Sequence, residues 1–263
     1  MIISGRVVFI CGAVLFGAVA LAAGPKPEMA LVPAGKFEVF EKTQKKNALG
    51  VLSDTRKIVD VPSLWLDRHV VTNDDFLGFV RQHPEWQKGQ VKSIFSDSHY
   101  LQAWTSDLGF PEGAGKRPVT QVSWFAAKAY CESFGKSLPT TDQWEYALYD
   151  KGRNIDAVKR NILNWYSQTN SSSSKNDQSA EANGFGVSDL GVLVWEWTED
   201  FDSFLSATDS RDGGKDSKLF CGSGSQLGDA SDYATFMRYS FRSSLKANYT
   251  TSNLGFRCAK ENK

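Results

Sequence analysis

Few groups in this chain can attack, ligate or carry protons, and their spacing narrows what they can do. It has three histidines, His69, His83 and His99. None is set at the H-x-x-x-H or H-E-x-x-H spacing that puts two imidazoles on one helical face for zinc, so all three read as surface side chains. Gly222-Ser-Gly-Ser225 places two hydroxyls in a glycine-rich turn. It lacks the G-x-S-x-G strand-to-helix context that makes a serine a nucleophile. Asp209-Ser-Arg-Asp-Gly-Gly214 begins like a calcium loop but lacks the remaining ligands and closing glutamate, and reads as a solvated turn. Asn170-Ser-Ser and Asn248-Tyr-Thr are glycosylation sequons.

The four cysteines bear on compartment. Cys11 lies in an apolar run, Val7 to Ala22, that follows Arg6 and ends Ala20-Leu-Ala22. A basic start, a short apolar stretch and an A-x-A site read as a cleavable secretory signal, residues 1–22. The remaining 23–263 then form one domain, periplasmic or secreted, with no membrane span after cleavage. Export leaves Cys131, Cys221 and Cys258, enough for one disulfide and one spare thiol. Spacing alone does not choose the pair. Thirty basic and thirty acidic side chains balance, and no basic run exceeds two residues, which argues against a nucleic-acid partner.

The elements that must position these groups are partly legible. Met29 to Phe37 reads as a strand entering a turn at Pro33 to Gly35, and Val61 to Asp67 as a second strand. Residues 41–58 look polar and irregular. A helix starts at Thr72, with Asp75 placed to reach back to the cap and Phe76, Phe79 and Val80 on one face. A second opens at Ser123, with Trp124, Ala127, Cys131 and Phe134 as its stripe and Gly135 at its end. A third opens at Thr140, with Gln143 completing a capping box and Trp144, Ala147 and Leu148 facing inward. Beyond these the chain is loop-rich, with a serine patch at 171–174, an acidic stretch at 198–217 and no internal repeat.

Several stretches in order resemble the formylglycine-generating enzyme, or sulfatase-modifying-factor, family. They are Met29 to Phe37, Trp65-Leu-Asp-Arg-His-Val-Val-Thr-Asn-Asp-Asp-Phe76, Pro118-Val-Thr-Gln-Val-Ser-Trp124, Gly135-Lys-Ser-Leu-Pro-Thr140, Trp144-Glu-Tyr-Ala147, Asn183-Gly-Phe-Gly186 and Val194-Trp-Glu-Trp-Thr-Glu-Asp200. Lys218-Leu-Phe-Cys-Gly-Ser-Gly-Ser225, Phe241-Arg-Ser-Ser244 and Asn253-Leu-Gly-Phe-Arg-Cys-Ala259 complete the set. The resemblance implies an α+β, C-type-lectin-like fold, with short helices, twisted antiparallel strands and much ordered loop. It also implies a disulfide between Cys131 and Cys258. Five tryptophans, Trp65, Trp124, Trp144, Trp195 and Trp197, fall in the matched motifs and read as core. Trp86, Trp104 and Trp165 fall outside them and are candidates for a binding rim.

Carried over residue by residue, the resemblance is uneven. Asp189 and Glu196, with the carbonyls of Val192 and Val194, match the ligands of a family calcium site. Its Gly-Asn pair is Val192-Leu193 here. Active relatives hold Cu(I) with two cysteines just after a Gly-Gly-Ser run. The matching stretch, Gln226 to Arg238, has none, and the aligned positions fall near Asp229 and Ala234. Carboxylate and methyl groups cannot replace thiolate for soft Cu(I). The expectation is therefore possible calcium, no copper, and no oxidation of a sulfatase cysteine. Asp229, Arg238 and Arg242 become the walls of a candidate groove. The two arginines either bind an anionic ligand there or pair with acidic residues of the fold, and the second is the preferred reading.

Three function classes follow. The preferred one is an exported, non-catalytic accessory that holds a protein or peptide partner, as a maturation or regulatory factor. The alternatives are an oxidoreductase of altered chemistry, such as a periplasmic chromophore- or peptide-maturation enzyme, and a secreted glycan-binding or structural protein.

Overall fold

A computed structural model describes residues 29–46, 52–150, 160, 163–164, 182–202 and 230–262. The expected signal segment, Trp165, the 171–174 serine patch, the 209–214 turn, Cys221, Ser223, Ser225 and Asp229 lie outside the described residues.

The first strand ends at the turn the sequence marks. β1 (Met29–Val32) pairs antiparallel with β4 (Leu64–Asp67), which pairs antiparallel with β7 (Ala259–Glu261). Alternation explains the facing: Ala30 and Val32 are buried while Leu31 is exposed. After Pro33 the chain turns into β2 (Gly35–Lys46), hydrogen-bonded in an antiparallel hairpin to β3 (Leu52–Val61). A Cβ at Gly35 would sit 2.1 Å from the Tyr146 hydroxyl, so this close approach needs glycine. The hairpin corrects the expectation that 41–58 is irregular. A polar ribbon is held by backbone bonds and carries no apolar alternation to announce it.

Capping sets the helices. In α1 (Asn73–Gln82) the Thr72 hydroxyl and Asp75 carboxylate cap each other's backbone N–H, and Phe76, Phe79 and Val80 are buried. Ser123 caps α2 (Trp124–Ser133), which buries Ala126, Ala127, Tyr130 and Cys131. Phe134 departs from the expected stripe: it follows the helix as its C-cap and is exposed, just before Gly135 turns left-handed at φ 64°. Thr140 and Gln143 form the capping box of α3 (Thr141–Tyr149). A further helix, here α4, spans Ala230–Ser243. Two further short strands, β5 (Trp195–Glu196) and β6 (Leu254–Gly255), run parallel.

Two apolar clusters result. One gathers α1, α2 and the segment from β5 to Trp197 around Phe76, Phe79, Tyr130, Trp197 and Phe256. The other joins β1, β4 and α3 through Val32, Leu64, Leu66, Trp144 and Ala147. Trp104 belongs to the first cluster, buried with its indole N–H donated to Asn73 Oδ1 at 2.8 Å, so it is core and not a rim residue. Trp86 is partly buried against the same cluster. The Cys131–Cys258 disulfide forms across a separation of 127 residues, tying α2 to the last strands.

Candidate functional site

Helix α3 brings an acidic side chain inside the molecule. Glu145 follows Trp144 on a helix whose neighbours Trp144, Tyr146, Ala147 and Leu148 are all buried. Its partners come from α4, where Arg238 and Arg242 are four residues apart and so share a face. Arg238 Nε and Nη2 donate to Glu145 at 3.0 and 2.8 Å, and Arg242 Nη1 donates at 2.8 Å. The three side chains are buried. Burial alone raises a carboxyl pKa; here the two guanidiniums outweigh it and hold Glu145 below its ordinary value.

A second buried pair lies alongside. Arg257, wholly buried, donates from Nε and Nη2 to Glu196 at 2.6 and 2.9 Å, a bidentate geometry. It also donates to the carbonyls of Asp67 and Ser188. Trp144 joins the two clusters: its Nε1–H donates to Glu196 at 2.9 Å, and its ring lies 4.6 Å from the Arg242 guanidinium carbon. Between them is a cavity of ≈ 10 Å³, bordered by Trp144, Trp195, Glu196, Arg238 and Arg242. Trp195 stacks on Phe241 of α4 with ring centroids 4.1 Å apart.

The candidate groove residues thus meet Glu145 first. Arg238 and Arg242 are partners of an acidic residue, as the sequence reading preferred, and they also wall a small cavity. Asp229 lies outside the described residues. Glu145 and Arg257 were missed as site residues. The available signal was Glu145 inside the inward-facing run of a capped helix, where an acidic side chain needs a cation. The histidines are half-exposed, beside Asp189, Glu85 and Asp97.

The calcium candidates sit on the loop into β5. Asp189 adopts φ 66°, and its Oδ2 is 3.2 Å from His69 Nδ1. Glu196 accepts three hydrogen bonds, two from Arg257 and one from Trp144. An ionised carboxylate has about four acceptor positions, so Glu196 retains one. The two carboxylates and two carbonyls offer oxygen, the donor type calcium takes, though among the described residues no three acidic, histidine or cysteine side chains gather into a metal site. Copper is different. Both cysteines among the described residues are in the disulfide, and Ala234, on α4, is not a thiol. These residues do not fit a Cu(I) centre, whose ligands must be soft thiolates.

Comparison with known proteins gives the class. A family model described as the sulfatase-modifying factor enzyme 1-like domain matches residues 17–262. The chain belongs to this family. It is 27% identical to the formylglycine-generating enzyme of Mus musculus over 290 residues, covering 91% of this chain and 77% of that protein. It is 26% identical to the inactive C-alpha-formylglycine-generating enzyme 2 of Bos taurus over 286 residues, 90% of this chain and 89% of that protein. It is also 29% identical over 189 residues to the serine/threonine-protein kinase pkn1 of Chlamydia caviae. That match covers 67% of this chain and 29% of the kinase. The chain therefore spans under a third of that relative.

Proposed function

We propose that this protein is an exported, non-catalytic accessory that uses a formylglycine-generating-enzyme-like domain to hold another exported protein or peptide during its maturation or regulation. One observation carries the reading: Gln226 to Arg238 has no cysteine where active relatives bind copper, in a chain whose helix caps, disulfide and buried ion pairs are intact. Similarity to a relative named inactive supports the same reading. The disulfide supports export, because such bonds persist in oxidising compartments. A calcium ion on the Asp189–Glu196 loop is part of the proposal. Asp189, Glu196 and the carbonyls of Val192 and Val194 would hold it, and it would stiffen the loop rather than take part in chemistry.

The test is a cysteine-containing peptide incubated aerobically with the purified protein and Cu(I). Mass spectrometry is expected to show no conversion of cysteine to formylglycine, and anaerobic titration no Cu(I) uptake against a competing chelator. Turnover that Cys221→Ser abolishes would overturn the reading.

A further inference from the structure

Three segments far apart in the chain bring aromatic rings side by side at the surface. The first is the turn Lys92-Ser-Ile-Phe95, closed by the Phe95 N–H donating to the Lys92 carbonyl at 2.8 Å. The second is the start of α2, where Trp124 and Phe125 are half-buried while Ala126 and Ala127 take the inward positions. The third is Lys246-Ala-Asn-Tyr249, bonded to both regions. Trp124 N–H donates to Ala247 O at 2.9 Å, and Asp97 N–H to Asn248 O at 2.8 Å. Ring contacts run from Trp86 to Phe95, Phe125 and Trp124, with successive centroids 5.9, 5.3 and 5.5 Å apart. Phe95 is exposed, and Ile94 beside it is 71% exposed, more than any other large apolar side chain among the described residues. Single exposed apolar residues are ordinary, whereas a joined set marks a binding surface.

The acids and lysines of this face are similar in number but not equally free. Lys88, Lys92 and Lys246 have no carboxylate partner among the described residues. Lys88 donates only to the Gln102 and Trp104 carbonyls, Lys92 is exposed, and Lys246 lies 5.6 Å from the Tyr249 ring. The acids have partners. Asp97 accepts from His99 N–H and from the N–H and hydroxyl of Thr250. Glu199 and Glu132 lie against Lys128, whose ammonium sits over the Trp124 ring, and Glu85 lies beside His83. An approaching anion therefore meets ammonium groups without displacing a carboxylate. Ile94, third residue of its turn, protrudes. A protruding apolar tip with lysines beside it enters a fluid interface, where long cationic side chains reach headgroup phosphates and aromatic rings lie at headgroup level.

We propose that this face docks on a membrane surface containing anionic phospholipid. Ile94 and Phe95 enter the boundary of the acyl chains, and Lys88, Lys92 and Lys246 meet the phosphates. This is peripheral attachment, and it draws on neither the copper stretch nor the α3–α4 cluster. Its test is sedimentation of the intact purified protein with vesicles of phosphatidylcholine alone, and of phosphatidylcholine and phosphatidylglycerol in equal parts. The protein is expected to pellet with the mixed vesicles and not with the neutral ones, and to be released by salt. Ile94 and Lys92 are both exposed, so replacing either leaves the core untouched. Ile94→Ser should weaken binding about tenfold, and Lys92→Ser about fivefold.

No pelleting with the mixed vesicles would overturn the proposal, as would equal pelleting with the neutral ones. Binding undiminished in Ile94→Ser would reduce the attraction to diffuse charge and overturn it too. A protein segment is the competing occupant. If the vesicles fail while acetyl-Asp-Phe-Asp-Phe-amide shifts the indole N–H signals of Trp86 or Trp124, the face belongs to an acidic peptide and the lipid assignment falls. None of these outcomes bears on the copper assay, so the two readings fail separately.

Discussion

At the scale of single residues, Glu145 is the side chain on which the interior charge depends. It accepts from two guanidiniums, and its pKa lies below the ordinary 4.5 because they outweigh its burial. Glu145→Gln removes the carboxylate that Arg238 and Arg242 both hydrogen-bond, while both cations stay buried. Breaking a buried pair in this way costs about 3–5 kcal/mol, and urea unfolding at pH 7 should show a loss of that order. The pH dependence has a definite sign. Near and below pH 4.5 the unfolded side chain binds protons while the folded one is still ionised, so the unfolded state takes up more. The stabilisation from Glu145 is thus complete above that range and lost as pH falls through the folded pKa. Glu145→Gln should flatten this acid limb of the stability curve, and an unchanged limb would assign it to other groups. The inward run Trp144, Ala147 and Leu148 was legible in the sequence because a helix face is local. The pairing of Glu145 with residues 93 and 97 positions away was not, since neither charge announces its partner.

At the scale of elements, local signals worked where chain neighbours satisfy one another. The reciprocal caps at Thr72–Asp75 and Thr140–Gln143 each need only four consecutive residues. The β2–β3 hairpin was hidden because its composition is polar, and Trp104 was misplaced because its buried partner Asn73 is 31 positions away. The disulfide was readable only through family resemblance, for three cysteines permit three pairings. Its role is to hold α2 against the C-terminal strands. There the Cys258 N–H donates to Asp67 Oδ2 at 2.9 Å, and Lys136 donates to Oδ1 at 2.8 Å. Burial raises the Asp67 pKa despite Lys136, so this junction tolerates a charge at some cost. Replacing both cysteines, Cys131→Ala with Cys258→Ala, lengthens the unfolded chain's freedom across 127 residues. The chain-entropy model gives about 4–5 kcal/mol for a loop of this size, within a measured range of roughly 0–5. A clear fall in the urea midpoint is expected, and an unchanged midpoint would mean that packing alone holds α2 in place.

For the whole molecule, the two apolar clusters meet along a polar seam. Trp144 belongs to one cluster, Trp195 and Trp197 to the other, and Glu196 lies between them in sequence and bonds. Arg257 closes the seam by reaching Glu196, Ser188 and Asp67 at once. The Asp189–Glu196 loop feeds directly into it, so anything that stiffens this loop acts on both clusters together. The proposed calcium ion would bind this loop through oxygen donors. Asp189 holds its carboxylate in left-handed backbone, which acidic and amide residues tolerate better than most, so the loop is already bent in the folded chain. A ligand that binds only the folded form adds about 2.7 kcal/mol at a hundredfold excess over its Kd. For a chain of this length that corresponds to a Tm rise of roughly 5–10 °C. The expected result is a calcium-dependent rise of that order, reversed by chelator and absent in Asp189→Asn, which keeps the side-chain shape but not the charge. Equal Tm with calcium and with chelator would leave Arg257 as the ion that balances Glu196, with the seam closed by protein charges alone.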